Sequence, residues 1–370
     1  MLAAMEALEP DSGYRALVAE SGGALLGALS AMEGALRRLH PPQLPALREA
    51  LGPAFQRLAD ARARLDAASP PDGLSELHHH WTQVAVLGSR ALEAFLDEVP
   101  PERTAPRILE AMQLHARAQE ALYPLRRVFP PVSDFFLEPA ARARGPALEP
   151  EASAEGAAIG IQVAGDPEGR GGFHLYVPES HAADRDWPLV VALHGGFGHG
   201  RDFLWTWLRE ARSRGFLLLS PTSRGSTWSL HGPDVDGPAL RSMVAYVCER
   251  WRVDRERILL TGLSDGATFT LLAGLAEGAP YTALAPVSGV LHPMNLANGN
   301  VARAAGCRIH LVHGALDWMF PVALAREAHR ILADAGAEIV YRELEDLSHA
   351  YPREENARIL EWLDPELALP

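Results

Sequence analysis

Apolar residues recur at steps of three and four through the first third of the chain. Tyr14, Val18, Ser21, Leu25, Leu29, Met32, Leu36 and Leu39 follow that spacing, which lines one face of a helix. Leu44, Leu47, Leu51, Phe55, Leu58 and Leu65 repeat it after the break at Pro41-Pro42. Gly52-Pro53 is expected to interrupt or kink this second helix, because proline lacks the N–H that a helix interior uses. A third helix is predicted from Leu74 to about Phe95, with Leu77, Trp81, Val84 and Leu92 on its stripe. A fourth is expected to open at Thr104 as N-cap and to carry Ile108, Met112, His115 and Leu122. Amphipathic helices with short connections predict an up-down bundle over residues 1–140.

Beyond residue 140 the pattern changes. Residues 139–160 are rich in Pro, Gly, Ala and Glu and read as a linker, placed at 141–157, or as an extended connection lying on a surface. From residue 158 short apolar runs alternate with helical stretches. Residues 159–164 and 172–177 suggest a hairpin. The unbroken run Pro188–Leu193 suggests a strand covered on both faces. Further strands are expected at 216–219, 257–261, 281–287, 307–312 and 338–344. Helices are expected at 238–251, 264–276, 322–335 and 354–363. Such alternation predicts an α/β fold over 158–370, a mostly parallel sheet with helices on both faces.

Composition narrows the partners. The chain has 370 residues, 48% hydrophobic and 22% charged, which is ordinary for a globular protein. Its net charge of −13 argues against nucleic-acid binding and against a polybasic membrane anchor. Every basic residue apart from histidine is arginine, which excludes a catalytic lysine. Cys248 and Cys307 are expected to be buried thiols rather than a disulfide. No apolar run approaches the roughly 20 residues that span a bilayer. The N-terminus lacks a basic leader region, so a cytoplasmic location is expected.

The chemistry concentrates in Gly262-Leu263-Ser264-Asp265-Gly266, a G-x-S-x-G motif between an apolar strand and a helix. A serine in that tight turn has its hydroxyl pushed out at the carboxyl edge of the sheet, and the flanking glycines avoid collisions across the turn. Upstream, His194-Gly195-Gly196-Phe197-Gly198 follows the strand Pro188–Leu193. Its backbone can approach a substrate oxygen, so the amides of Gly196 and Asp265 are the expected oxyanion donors, with Phe197 as the neighbouring candidate. A serine needs a base held by a carboxylate. Asp317, after the strand ending at Val312, and His349, after the strand ending at Leu344, complete the order Ser, Asp, His. His313 is a rival histidine that is expected to brace the acid loop, and Asp346 is a rival acid expected to shape its turn. Phe197, Trp228 and Trp318 are expected to contact substrate, although tryptophans in such loops also cover the edge of a core. Trp205, Trp207 and Phe320 lie in similar loops. Consecutive residues on a helix point about 100° apart, so His78, His79 and His80 cannot share a face and no metal site is expected there.

These pieces resemble the α/β-hydrolase superfamily over residues 158–365. Within it they are similar to the small esterase branch of phospholipase/carboxylesterases, feruloyl esterases and polyhydroxybutyrate-depolymerase-like enzymes. The stretches PLVVALHGGFGHG, VDRERILLTGLSDGA, IHLVHGALDWMFPV and SHAYP carry the resemblance. It implies an acyl-ester hydrolase, without a metal or organic cofactor, that uses the triad and amides named above. Asp265 departs from much of the branch, which has Asn, Gln or Met there. A serine peptidase of the oligopeptidase type shares the triad and stays open. So does a helical interaction protein carrying a hydrolase-like scaffold. Residues 1–140 resemble no named family; a lid, a docking module or a homo-oligomer interface is expected of them.

Overall fold

The structure, a computed structural model, describes residues 12–148 and 158–369. The N-terminal stretch read above for a leader and residues 149–157 of the expected linker lie outside the described residues. Two compact units divide the chain, Met1–Leu137 and Glu138–Pro370.

The first unit is helical: α1 (Ser12–Arg37), α2 (Leu44–Asp66), α3 (Ser75–Leu96), α4 (Pro101–Leu122) and the short α5 (Pro130–Phe135). The apolar stripes face inward, with Leu25, Met32, Leu58, Val84, Phe95 and Leu122 almost fully buried. Two expectations need correction. α2 is not interrupted at Pro53, since Leu51, Ala54 and Leu58 are buried on either side of it and their burial outweighs one missing N–H. α4 starts at Pro101, three residues before Thr104, because proline at the first helical position gives up only a donor that would be unpaired there. Two histidines of the run are hydrogen-bonded and the third, His79, is exposed: His78 Nδ1 meets the Tyr14 hydroxyl at 2.9 Å, and His80 Nε2 donates to the Ala121 carbonyl at 2.7 Å.

The second unit is one eight-stranded sheet: β1 (Gly160–Ala164), β2 (Phe173–Val177), β3 (Trp187–Leu193), β4 (Leu217–Pro221), β5 (Val253–Leu263), β6 (Ala283–Val287), β7 (Arg308–Gly314) and β8 (Glu338–Leu344). Their spatial order is β1-β2-β4-β3-β5-β6-β7-β8. β2 runs antiparallel to β1 and β4, and the other pairings are parallel. All of β3 is buried, as its unbroken apolar run predicts. The principal helices are α6 (Leu208–Arg214), α7 (Asp236–Arg250), α8 (Asp265–Gly274), α9 (Val322–Asp334) and α10 (Glu355–Leu363).

The segment Pro139–Leu148 coils into 3-10 turns. The nearly buried Arg214 guanidinium bonds Glu138 Oε2 at 2.8 Å, and Arg144 donates to the Ser213 carbonyl at 2.9 Å. A buried charge needs such partners, so the segment is tied down. Cys248 and Cys307 are free thiols, half-buried rather than fully buried. Among the described residues no helix is long and apolar enough to cross a membrane.

Candidate active site

Parallel strands that end together bring their following loops to one edge. β5 delivers Ser264, β7 delivers Asp317, and β8 delivers His349. Ser264 sits between β5 and α8 at φ 57°, a region that crowds a β-carbon. Such backbone costs about 1–3 kcal/mol and persists only where its surroundings enforce it. Here close packing does so. A β-carbon on Gly262 would lie 2.6 Å from the Gly266 carbonyl carbon, and one on Gly266 would lie 2.4 Å from the His194 oxygen.

Ser264, His349 and Asp317 form one hydrogen-bonded chain. His349 Nδ1 lies 2.8 Å from Asp317 Oδ2, and its Nε2 lies 2.9 Å from Ser264 Oγ. A carboxylate only accepts, so Nδ1 carries the proton, and Nε2 is left to accept from the serine hydroxyl. Burial pushes the Asp317 carboxyl up. The hydrogen bonds from His349 and the Phe320 amide pull it down further, with the net result below the ordinary carboxylate range. The Met319 and Phe320 amides donate to its Oδ1 at 2.9 and 2.8 Å. Asp317 therefore stays ionised and fixed in direction.

His313 braces this loop. Its Nε2 donates to the Phe320 carbonyl at 2.8 Å, and burial lowers its pKa. Asp346 lies exposed in the turn after β8.

The glycine-rich turn after β3 lies beside the serine. A β-carbon on Gly195 would sit 3.5 Å from that of Ser264. Among the described residues, the amides of Gly196 and Asp265 donate to no carbonyl, whereas the Phe197 amide donates to Ser226 O at 2.8 Å. That bond removes Phe197 as an oxyanion donor. His194 is structural: burial drives its pKa down to about 3, its Nδ1 donates to Gly195 O at 2.6 Å, and its Nε2 accepts from the Ser223 amide at 3.1 Å.

The aromatic candidates separate. Phe197 is 70% exposed and Trp318 is 56% exposed, both adjacent to residues of the site. Trp228 is only 3% exposed. It stacks on Phe269 and donates its indole N–H to the His194 carbonyl at 2.7 Å. The structure therefore places Trp228 in the core under the glycine turn, not against substrate. Trp205 and Trp207 are likewise buried, and Phe320 meets the His349 ring edge-on at 5.4 Å. Arg170, Ser223 and Thr227, which bond the loops around the turn, match no catalytic motif in the sequence. The cluster of Ser, Thr and Gly in Ser223–Ser229 was the available signal.

Residues 238–366 match the family described as Phospholipase/Carboxylesterase. Acetylxylan esterase A of Emericella nidulans is 26% identical over 117 residues, which are 29% of this chain and 38% of that protein. A thermostable esterase of known structure aligns over 55% of this chain and 61% of its own, with 24% identity and a TM-score of 0.47. A phospholipase/carboxylesterase from Dyadobacter fermentans aligns over 57% of this chain and 99% of its own, with 19% identity and a TM-score of 0.42. The chain thus spans less than two thirds of the curated relative and of the thermostable esterase. The second unit has the α/β-hydrolase fold, and its likeness is to the esterase branch of that superfamily.

Proposed function

We propose that the second unit is a serine carboxylesterase. Ser264 attacks the ester carbonyl while His349 takes its proton and then delivers it to the departing alcohol. Asp317 orients the imidazole and offsets its positive charge. The amides of Gly196 and Asp265 hold the tetrahedral oxyanion, and water releases the acyl group by the same steps reversed. Phe197 and Trp318 border the bound ester.

The observation that carries this reading is the unbroken chain from Ser264 Oγ through His349 to Asp317 Oδ2. A serine hydroxyl on a surface turn has no reason to hold a strained backbone and an aligned imidazole. The test is hydrolysis of p-nitrophenyl acetate and butyrate together with labelling by a fluorophosphonate. The wild type is expected to do both. Ser264→Ala is expected to lose labelling and on the order of 10⁴-fold or more in kcat. An inert wild type, or a Ser264→Ala variant that still labels, would overturn the proposal.

The finer expectations are proposals of the same kind. A cytoplasmic location rests on two unpaired thiols. A separate interaction role for the helical unit, as a homo-oligomer interface or other docking module, rests on its being a compact unit of its own. Light scattering on the full chain and on residues 138–370 tests that role; identical oligomeric states would remove the homo-oligomer.

A further inference from the structure

Two oxyanion donors act together only if their separation is held. Gly196 has no side chain to anchor it, so something outside the residue must do so. The space beside it is filled by Asp265: a β-carbon on Gly196 would lie 2.7 Å from Asp265 Oδ2. Thr227 Oγ donates to that same oxygen at 2.6 Å. The side chain of one donor residue therefore rests against the backbone of the other, and a threonine hydroxyl locks it there.

The other end of the turn is held as well. Arg170, in the connection between β1 and β2, donates to the Gly198 carbonyl at 3.1 Å and to Ser223 Oγ at 2.9 Å, and also to the Gly225 carbonyl. It thereby ties the glycine turn to the segment carrying Thr227. That segment also accepts the Phe197 amide through Ser226 O.

We propose that Thr227 is a positioning residue. Through the Asp265 carboxylate it sets the gap between the two oxyanion donors, and Arg170 fixes the far end of the same turn. Neither residue touches the reacting atoms. The inference rests on the serine-hydrolase reading above and goes beyond it. It also gives Asp265 a role: its carboxylate accepts the threonine proton, which a methionine at that position would not do. Thr227 is half-exposed, so water can take over its lost bond in a variant and the fold is expected to survive.

The test compares Thr227→Val, Thr227→Ser and Arg170→Ala in the full chain. Readouts are kcat and KM on p-nitrophenyl acetate, affinity for a trifluoromethyl ketone and the melting temperature. Losing an oxyanion donor costs 10²–10³-fold, so misplacing one in Thr227→Val should lower kcat by about 10-fold. KM should stay within about twofold, and ketone affinity should fall in parallel with kcat. Thr227→Ser, which keeps the hydroxyl, should restore most of both, and Arg170→Ala should lower kcat by a smaller factor. Equal losses in the valine and serine variants would overturn the inference alone, as would a change in KM without kcat. So would an unchanged kcat in Thr227→Val. A wild type inert to both ester and fluorophosphonate would overturn the hydrolase reading and this inference with it.

Discussion

Asp265 places a negative charge next to the site where negative charge is expected to develop. Its side chain is needed as an acceptor for Thr227, but nothing in that contact requires ionisation. Asp265→Asn keeps an acceptor oxygen and removes the charge. It is expected to raise kcat on p-nitrophenyl acetate by about threefold at low ionic strength, where a nearby charge is least screened. A loss of kcat in a steady-state assay would show that the carboxylate itself is required. Two other residues set an acid limit. Burial holds His194 at about 3 and His310 at about 4, below the ordinary histidine value of 6.5. The folded chain keeps both neutral, while the unfolded chain takes up the protons. Their contribution to stability is present above about pH 6.5 and is lost as pH falls towards those lowered values. His310 Nδ1 is buried with no partner among the described residues. His310→Leu should therefore flatten the fall in melting temperature between about pH 7 and pH 4.5. A slope equal to wild type would assign the acid sensitivity elsewhere.

Most elements were legible because their pattern and their burial agree. β3 reads as an unbroken apolar run, and β8 was placed residue for residue. The strand-turn-helix around Ser264 was readable because glycines at two fixed offsets have a single steric purpose. Gly262→Ala should lower stability by roughly 3 kcal/mol, since its new methyl group would overlap the backbone of α8. Urea unfolding measures this, and an unchanged midpoint would contradict the close crossing. What stayed hidden depended on contacts distant in sequence. Pro53 passed inside α2 because of neighbours on other helices. Trp228 looked like a pocket wall until its indole was seen bonded under His194. Arg170 and Thr227 are ordinary loop residues by type, and only the folded loops give them partners.

At the scale of the molecule, the second unit has an interior built from its own residues. The core of the second comprises Leu189, Leu219, Leu260, Phe269 and Ile309 among others, all beyond residue 158. Residues 138–370 alone are therefore expected to melt in one cooperative transition and to keep turnover of p-nitrophenyl acetate within about threefold of the full chain. A fragment with no sharp transition in calorimetry would show that its stability is shared with the first unit. The chain divides between Leu137 and Glu138. Glu138 pairs with the Arg214 guanidinium inside the second unit, a contact 76 positions apart that no local pattern announces.

Inside the helical unit, Trp81 donates its indole N–H to Ser21 Oγ at 2.7 Å, and His115 Nε2 bonds the Leu29 carbonyl at 3.1 Å. Rods coated with alanine and leucine mesh almost as well after sliding one notch, which gives many near-equal arrangements. These two polar latches fit in a single alignment each, at different heights, so a slid assembly would strand both donors in oil. Their value is uniqueness more than strength.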